Sequence, residues 1–306
     1  MAKPPKPKSI LKRITRTLRW TLIVLLLALL GVRFSGAAEQ LAYFPSRHLI
    51  VTPAEYEDLW ITTPDGLKLH AWFMPAKRIP ENQRAPAILH AHGNAGNIAD
   101  HDTFSNFLTD AGFHVLLFDY RCYGRSDDTG PINRNKLAID TAAALEALFN
   151  HPRVDPTRVG VLGVSLGGPF ALNAAANEPR VRAIATLSTF SSWQGVAADM
   201  SPLGPLLMPS GLDAKDSIKH LSNQPYLIMH GTNDQVINPR HADILYKAAT
   251  DAQVSVTLKT YPGDHNSLIQ RSAQARADLI EFFQTHLEPL HSVGDNETMF
   301  RNLTNP

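Results

Sequence analysis

The sequence contains a single cysteine, Cys122, so a disulfide bond within the chain is impossible and cysteine usage does not indicate a redox compartment. Acidic residues are absent from the first 38 residues, where eight basic residues lie. The rest of the 306-residue chain carries 21 of the 29 basic residues against all 28 acidic ones, a formal charge of −7. An acidic body argues against nucleic-acid binding. The whole chain has 44% hydrophobic residues, and its length suffices for one domain with a sizeable core.

A long apolar run extends from Trp20 to Val32, and its 13 residues carry no charge. Seven basic residues precede it, which is typical of a membrane signal anchor or of a cleaved signal peptide. A buried core helix is the alternative, because the run falls short of the usual membrane span of about 20 residues. Small residues at positions 35–38 offer a cleavage site, whereas the long basic leader and Arg33 favour an uncleaved anchor.

The charge distribution also predicts the topology of the chain. Basic residues stay on the cytoplasmic side, so we expect a single-pass protein whose domain lies on the extracytoplasmic side, or a secreted protein after cleavage. We assign residues 1–38 to the basic N-terminus and anchor and residues 39–288 to the folded domain. Residues 289–306 form a polar tail that we expect to be disordered.

Short apolar runs alternate with helical stretches after Glu57, which predicts βα units on a mostly parallel central sheet flanked by helices. The predicted strands are Glu57–Thr62, Leu67–Met74, Ala85–His92, Phe113–Asp119, Arg158–Val164, Val181–Ser188, Pro225–His230 and Ser255–Tyr261. The predicted helices are Ile98–Asp110, Asn133–Phe149, Gly167–Asn177, Arg240–Thr250 and Ser267–Leu287.

The residues from Gly163 to Gly167 read Gly-Val-Ser-Leu-Gly and fit the pattern G-x-S-x-G. In this pattern a serine lies on a sharp turn between a strand and a helix, and the backbone tolerates only small residues two positions away. A predicted strand precedes the motif and a helix of small residues follows it. We therefore predict that Ser165 is a nucleophile, which needs a base to remove its proton. A turn that contains a serine incidentally is the alternative.

A catalytic acid and a base are expected after this serine, in the order Asp or Glu and then His. His265 directly follows the last predicted strand, at the carboxyl edge where such sheets keep their reactive residues. Asp234 follows the preceding strand, where it can orient the imidazole. A solvated loop histidine is the alternative reading of His265. Asp264 is adjacent to His265 in sequence and is expected to point elsewhere, so the weaker alternatives to the acid are Asp216 and Asp243.

A tetrahedral intermediate needs two backbone N–H groups directed at its oxygen. We predict that one belongs to Leu166, the residue after the nucleophile. The other is expected from the glycine-rich loop His92–Asn97, where we favour the amide of Asn94 over that of Ala95. The alternative is a turn that needs its glycines for shape alone.

The segment Phe190–Asn223 lies between two predicted strands and, at 34 residues, has room for one or two short helices but not for a separate cap domain. Its apolar side chains either pack on the sheet or line an acyl groove beside Ser165. The residues that we expect to bind substrate are Trp193, Met200, Leu206, Leu207 and Met208.

Five motifs occur in a fixed order along the chain, and together they resemble the membrane-anchored alpha/beta-hydrolase-domain proteins. They are His92–Asn97, Phe118–Arg121 with Gly124–Ser126, Gly163–Gly168, His230–Asp234 and Gly263–His265. That group is similar to the serine aminopeptidase-like branch of the α/β-hydrolases and lacks a large lid. The resemblance covers about Leu41 to Leu287, including Tyr43-Phe44-Pro45. It implies the α/β-hydrolase fold with a short cap segment, and an esterase or thioesterase acting on small-molecule or lipidated acyl substrates.

Three alternatives to ester or thioester cleavage remain open. His90-Ala91-His92 and Asp100-His101-Asp102 could suggest a zinc hydrolase, but their spacing does not match a metal-binding motif, so we expect neither metal nor cofactor. A non-catalytic binding module could use the same scaffold. A serine peptidase or transacylase could use the same three residues. Cys122 departs from the family pattern, and we interpret it as a small packing residue rather than a redox site.

Overall fold

The protein is described here by a computed structural model that covers residues 7–288. The predicted tail at 289–306 and the first six residues of the predicted N-terminal region lie outside the described residues. The strands are β1 Phe44–Pro45, β2 Glu57–Thr62, β3 Lys68–Met74, β4 Ala85–Ala91, β5 Ala95–Gly96, β6 His114–Phe118, β7 Val154–Val164, β8 Val181–Leu187, β9 Tyr226–Gly231 and β10 Val256–Tyr261.

The helices surround these strands on both sides and at one end. They are α1 Pro7–Ser35, α2 Ala37–Gln40, α3 Ile98–His101, α4 Arg134–Phe149, α5 Gly167–Asn177, α6 Trp193–Met200, α7 Gly204–Leu207, α8 Ala214–Ser217, α9 Arg240–Asp251, α10 Leu268–Arg271 and α11 Ala273–His286. Short 3₁₀ helices lie at Asp102–Phe104, Asn106–Thr109 and Ile218–His220.

Eight strands form the central sheet in the order β10-β9-β8-β7-β4-β6-β3-β2. The strands from β10 to β6 run parallel, whereas β2 and β3 pair antiparallel to each other and β3 pairs antiparallel to β6. The prediction of a mostly parallel sheet flanked by helices is confirmed, and all eight predicted strands belong to it. The parallel strands bring the loops after β4, β7, β9 and β10 to one edge of the sheet.

The hydrophobic core lies on both faces of this sheet. Neighbouring residues of one strand point to opposite faces, so Leu89 belongs to one buried cluster and Ile88 to the other. Both side chains are 0% exposed. Strands buried on both sides explain the continuous apolar runs in the sequence.

Two of the predicted helices are divided in the structure. The prediction of one helix over Ile98–Asp110 is wrong, because α3 ends after four residues and two 3₁₀ turns follow it. Ser105 interrupts these turns with φ −144°, and its hydroxyl lies 2.8 Å from Nδ1 of buried His90. The predicted helix Ser267–Leu287 is likewise divided at Ser272, whose side chain accepts the N–H of Ala275 and caps α11.

Among the described residues, α1 is the one helix whose length and composition would let it cross a membrane. Its segment Lys12–Ser35 has a mean hydropathy of 1.8 and is not buried against the body. The chain after α1 is held at two points. Buried Glu39 accepts hydrogen bonds from Arg134 and from the hydroxyl of Tyr43. Next, β1 pairs with β5, so Phe44 lies opposite Ala95.

Candidate active site

Ser165 lies in the turn between β7 and α5 with a φ of 50°, in the left-handed region that non-glycine residues rarely adopt. Such strain is found most often at functional positions. A side chain at Gly167 would overlap the carbonyl oxygen of Ala91, and one at Gly163 would lie 2.6 Å from Cα of Gly168. Both glycines of the motif are therefore required because the helix starts so close to the sheet.

Ser165, His265 and Asp234 meet at the carboxyl edge of the sheet. Nδ1 of His265 lies 2.8 Å from Oδ2 of Asp234, and Nε2 lies 3.0 Å from Oγ of Ser165. An ionised carboxylate only accepts hydrogen bonds, so Nδ1 holds the imidazole proton and Nε2 is free to accept the hydroxyl proton of Ser165. This arrangement is the one in which a histidine can activate a serine hydroxyl.

Asp234 is buried, and its surroundings favour the ionised carboxylate. Its Oδ1 accepts the backbone N–H groups of Val236 and Ile237, each at 2.9 Å. Nε2 of His230 lies 3.2 Å from its Oδ2. Burial raises the pKa of Asp234, but the hydrogen bonds from His230 and His265 outweigh that effect and hold the pKa below its ordinary value.

The other candidate acids have different partners. Asp216 accepts a hydrogen bond from Lys219 at 2.6 Å, and Asp264 accepts the N–H of Ser267 at 2.8 Å. Asp243 lies in the first turn of α9. Among the described residues, none of these three carboxylates bonds to His265. The structure therefore brings Asp234, and not an alternative, to the histidine.

The two predicted oxyanion donors lie on either side of Ser165. Leu166 is the N-cap residue of α5, so its N–H has no partner within the helix. Asn94 directly follows Gly93, and a Cβ on Gly93 would lie only 3.7 Å from Cβ of Ser165. The loop that contains Asn94 thus reaches Ser165. That its amide, rather than that of Ala95, serves the oxyanion stays a prediction.

The side chain of Asn94 is turned away from the reaction and fastens the loop to the segment after α1. Its Nδ2 donates to the carbonyl of Ala42 at 2.6 Å, and its Oδ1 accepts the N–H of Phe44 at 3.1 Å. The hydroxyl of Tyr123 donates to the same Oδ1 at 3.1 Å. This role could not be read from the sequence, where Asn94 was expected to contribute only its backbone.

Two histidines hold the carbonyl groups on either side of Asn94. Nδ1 of His92 lies 2.7 Å from the carbonyl oxygen of Gly93, and Nε2 of His101 lies 2.7 Å from that of Ala95. Their rings stack with centroids 4.9 Å apart. Burial lowers the pKa of both rings, so each is neutral and donates from the nitrogen named. Sequence reasoning assigned neither ring this function, because contacts to carbonyl groups leave no sequence pattern.

The residues that suggested a zinc site have other partners. His90 pairs with Ser105, and Oδ2 of Asp100 accepts the N–H of Asn97 at 3.0 Å as part of a helix capping box. Asp102 lies 3.4 Å from the hydroxyl of Tyr56. Between residues 7 and 288, no three His, Cys, Asp or Glu side chains are arranged to hold a metal ion. The zinc alternative therefore lacks a ligand set in this region.

The predicted substrate-binding residues are divided between the interior and the surface. Trp193 is 2% exposed, with the guanidinium of Arg134 4.3 Å from its ring centroid. Met208 is also buried, and its sulfur accepts a hydrogen bond from Arg134 at 3.3 Å. Both residues of the cap segment therefore belong to the hydrophobic core and not to an open groove.

The other three cap residues face outward to different degrees. Met200 is 81% exposed and Leu206 is 56% exposed, whereas Leu207 is half-buried. The segment forms more helical turns than predicted, because α6, α7, α8 and a 3₁₀ turn all lie within it. Which of these side chains touch substrate stays a prediction.

Cys122 occupies a tight turn beside the central sheet. It has a φ of 69°, is buried, and its thiol lies 3.4 Å from both Asp128 Oδ1 and the carbonyl of Gly130. Burial raises the pKa of the Cys122 thiol. The side chain is therefore placed for packing and not for thiolate chemistry.

Known proteins resemble this chain in sequence and in fold. Residues 86–213 match the sequence model of the alpha/beta hydrolase fold family. The uncharacterized protein YfhR of Salmonella typhi is 35% identical, covering 80% of this chain and 87% of its own length. The alpha/beta hydrolase domain-containing protein WAV2 of Arabidopsis thaliana is 31% identical, covering 76% of this chain and 84% of its own. The solved esterase PF2001 of Pyrococcus furiosus superposes with a TM-score of 0.68, at 19% identity, covering 80% of this chain and 98% of its own.

Proposed function

Because this chain belongs to the α/β-hydrolase family, we propose that it is a serine hydrolase that cleaves carboxylic ester or thioester bonds through an acyl-enzyme intermediate. The hydrogen-bond chain from Ser165 through His265 to Asp234 is the observation that supports this proposal most directly. The strained φ of Ser165 adds to it, because the nucleophile of this motif lies on a sharp, strained turn between a strand and a helix.

Acylation begins when Oγ of Ser165 attacks the carbonyl carbon of the substrate. Nε2 of His265 accepts the hydroxyl proton, and ionised Asp234 stabilises the imidazolium that forms. The carbonyl oxygen becomes an oxyanion and accepts hydrogen bonds from the backbone N–H groups of Leu166 and Asn94. When the tetrahedral intermediate collapses, His265 returns its proton to the leaving alcohol or thiol. The acyl group is then joined to Ser165 as an ester.

Deacylation repeats these steps with water as the nucleophile. His265 removes a proton from water, whose oxygen attacks the acyl carbon and forms a second tetrahedral intermediate. Its collapse breaks the bond to Oγ of Ser165, and the histidine returns the proton to that oxygen. The products are a carboxylic acid and the free enzyme, so no cofactor is needed.

We expect short to medium acyl chains, either on small molecules or on lipidated proteins. The cap segment is too small to close over the site, so a large acylated partner can approach Ser165. Each CH₂ group that leaves water contributes about 0.8 kcal/mol, so four carbons held by apolar cap residues favour binding by about 10²-fold over acetyl. Without a mobile lid, the rate is not expected to rise sharply at the critical micelle concentration.

Anchoring by α1 forms the second part of this proposal. Its apolar surface is not covered by the body, so lipid is the environment that fits it. The upstream basic residues favour a cytoplasmic N-terminus and an extracytoplasmic domain. Hydrogen bonds that Arg33 donates to the cap segment support an uncleaved anchor, because cleavage near Ala38 would remove Arg33.

Hydrolysis of p-nitrophenyl esters of increasing chain length, of an acyl thioester and of an aminoacyl amide tests the proposal with purified full-length protein. Ser165→Ala should abolish ester and thioester turnover. Ser188→Ala is the matched control, because Ser188 follows the neighbouring strand β8 with a φ of 49° and its hydroxyl has no hydrogen-bond partner among residues 7–288. An equal loss of turnover in Ser165→Ala and Ser188→Ala would contradict the proposed role of Ser165 as nucleophile. Turnover of the amide alone would favour a peptidase, and no Ser165-dependent turnover would favour a binding module.

A further inference from the structure

We propose that the cap segment has a membrane-docking face, formed by Met200, Leu203 and Leu206, that inserts into the lipid surface beside α1. This inference rests on the anchoring and hydrolase activity proposed above and adds the source of the substrate. The edge of the sheet with Ser165 would face the bilayer, and acyl chains would reach the serine from the lipid phase.

Arg33, in the last turn of α1, connects the membrane helix to this face. Its Nη1 donates hydrogen bonds to the carbonyl oxygens of Pro205, Leu206 and Met208, at 3.3, 3.2 and 3.0 Å. These carbonyls belong to α7 and the residue after it, so the guanidinium binds the C-terminal end of a short helix. The depth of Arg33 in the membrane therefore sets the depth of α7.

The length of α1 indicates what that depth is. The charge-free residues from Trp20 to Val32 rise about 20 Å, whereas the hydrocarbon core is about 30 Å thick. The basic residues at both ends, Arg19 and Arg33, are therefore drawn to the acyl boundary, where long basic side chains extend toward the headgroups. The carbonyl partners of Arg33 must lie at the same boundary.

The composition and exposure of the cap at this point suit a lipid surface. Residues 200–210 contain no charged side chain. Met200, Leu203 and Leu206 are 81%, 57% and 56% exposed, which is unusual for large apolar side chains so close together. Phe34, beside Arg33 on α1, is also 81% exposed.

The topology places this face at the same edge of the sheet as the nucleophile. The cap follows the carboxyl end of β8, next to β7, whose own carboxyl end leads into Ser165. Thr189, directly before the cap, donates its hydroxyl to the carbonyl of Ser165 at 2.7 Å. The segment after α1 pairs with Ala95 of the loop above the serine. Both connections to α1 therefore lie at the active-site edge.

Site-specific fluorescence tests this orientation with the full-length protein in lipid nanodiscs. The environment-sensitive dye NBD is attached at Leu203→Cys, in a Cys122→Ser background. Ser255→Cys is the matched control, because Ser255 is exposed and directly precedes β10. It therefore lies at the amino ends of the parallel strands, whereas Ser165 lies at their carboxyl ends. We expect the dye at 203 to be blue-shifted, to lose most of its emission to nitroxide-labelled lipids and to resist aqueous iodide. The dye at 255 should show the reverse.

Quenching of both positions by iodide to the same extent would overturn the proposal. Shielding of position 203 from iodide without quenching by lipid nitroxides would also overturn it, because a second protein copy and not lipid would then cover the face. These results do not depend on catalysis. They therefore test the docking face even if the protein proves to have no hydrolase activity.

A kinetic test examines delivery of the substrate. Leu203→Asp places a carboxylate at the acyl boundary and should lower the ratio of turnover of a bilayer-embedded ester to that of a soluble butyrate ester by about tenfold. Ser255→Asp should leave the ratio unchanged. An unchanged ratio in Leu203→Asp would contradict delivery from the bilayer. If the wild-type protein hydrolyses neither ester, the failure belongs to the proposed function.

Discussion

Replacement of His101 by alanine tests how the oxyanion loop is held. In the native protein Nε2 of His101 donates to the carbonyl of Ala95 at 2.7 Å, and its ring packs against Gly93, where a Cβ would lie 3.0 Å from Cε1. The variant removes both contacts from the residues that flank Asn94. The serine, its base and its acid are not touched by this change.

The expected loss follows from two known magnitudes. One neutral hydrogen bond contributes about 0.5–1.5 kcal/mol, which sets the lower limit for a loop that merely loosens. Complete loss of one oxyanion donor lowers kcat by about 10²–10³-fold, which sets the upper limit. For His101→Ala we predict a fall in kcat of about 10- to 100-fold, with little change in KM, because the donor acts mainly on the transition state.

Steady-state kinetics on a p-nitrophenyl ester, with thermal melting in parallel, separates positioning from general destabilisation. His114→Ala is the matched control, since His114 is buried and its Nδ1 likewise contacts the backbone, accepting the N–H of Ala76 at 2.9 Å. It should lower the melting temperature without lowering kcat. His101→Gln, whose side-chain amide can donate to Ala95, should recover part of the loss. A kcat within about twofold of wild type in His101→Ala would refute the reasoning.

Three further predictions follow from the site and the anchor. Asp234→Asn should lower kcat by about 10⁴-fold without unfolding the protein, because the amide no longer holds the His265 imidazole in the tautomer with its proton on Nδ1. Asp216→Asn should leave kcat unchanged. Steady-state kinetics and circular dichroism of both variants measure these outcomes. Gly167→Ala should lower the melting temperature and abolish activity, because its methyl group overlaps the carbonyl of Ala91; a folded, active variant would contradict the packing of the turn. Full-length protein should remain with membranes in high salt and leave only in detergent, whereas an N-terminus at Ala38 or Glu39, found by sequencing, would indicate a cleaved signal.

The turn that holds Ser165 could be predicted because it imposes local rules. Only glycine fits at 163 and 167, and the chain order of a serine, an acid and a histidine follows from the sheet topology. Loops after parallel strands meet at one edge, so Asp234 and His265 could be placed near Ser165 before their distances were known. The residues that support them could not be predicted, since His230 and His101 act through contacts that leave no periodicity or spacing in the sequence.

The cap was harder to predict because hydrophobicity does not tell which surface a side chain faces. Trp193 was expected at an acyl groove, but it is buried among Phe190, Phe170 and Tyr43 and beneath Arg134. These partners come from four separate parts of the chain. The helix predicted over Ile98–Asp110 failed for a similar reason. Its periodic apolar residues fit a helix, but Ser105 leaves the helical conformation with a φ of −144° and bonds to buried His90, which is a tertiary contact.

Labelling with a fluorophosphonate, followed by mass spectrometry of the intact protein and its peptides, tests the central claim most directly. The reagent forms a covalent bond only with a serine whose hydroxyl is activated by a base. We predict one adduct per chain, on the peptide that contains Ser165, and no adduct in His265→Ala. An adduct on another residue, or equal labelling in the absence of His265, would contradict the account of this site.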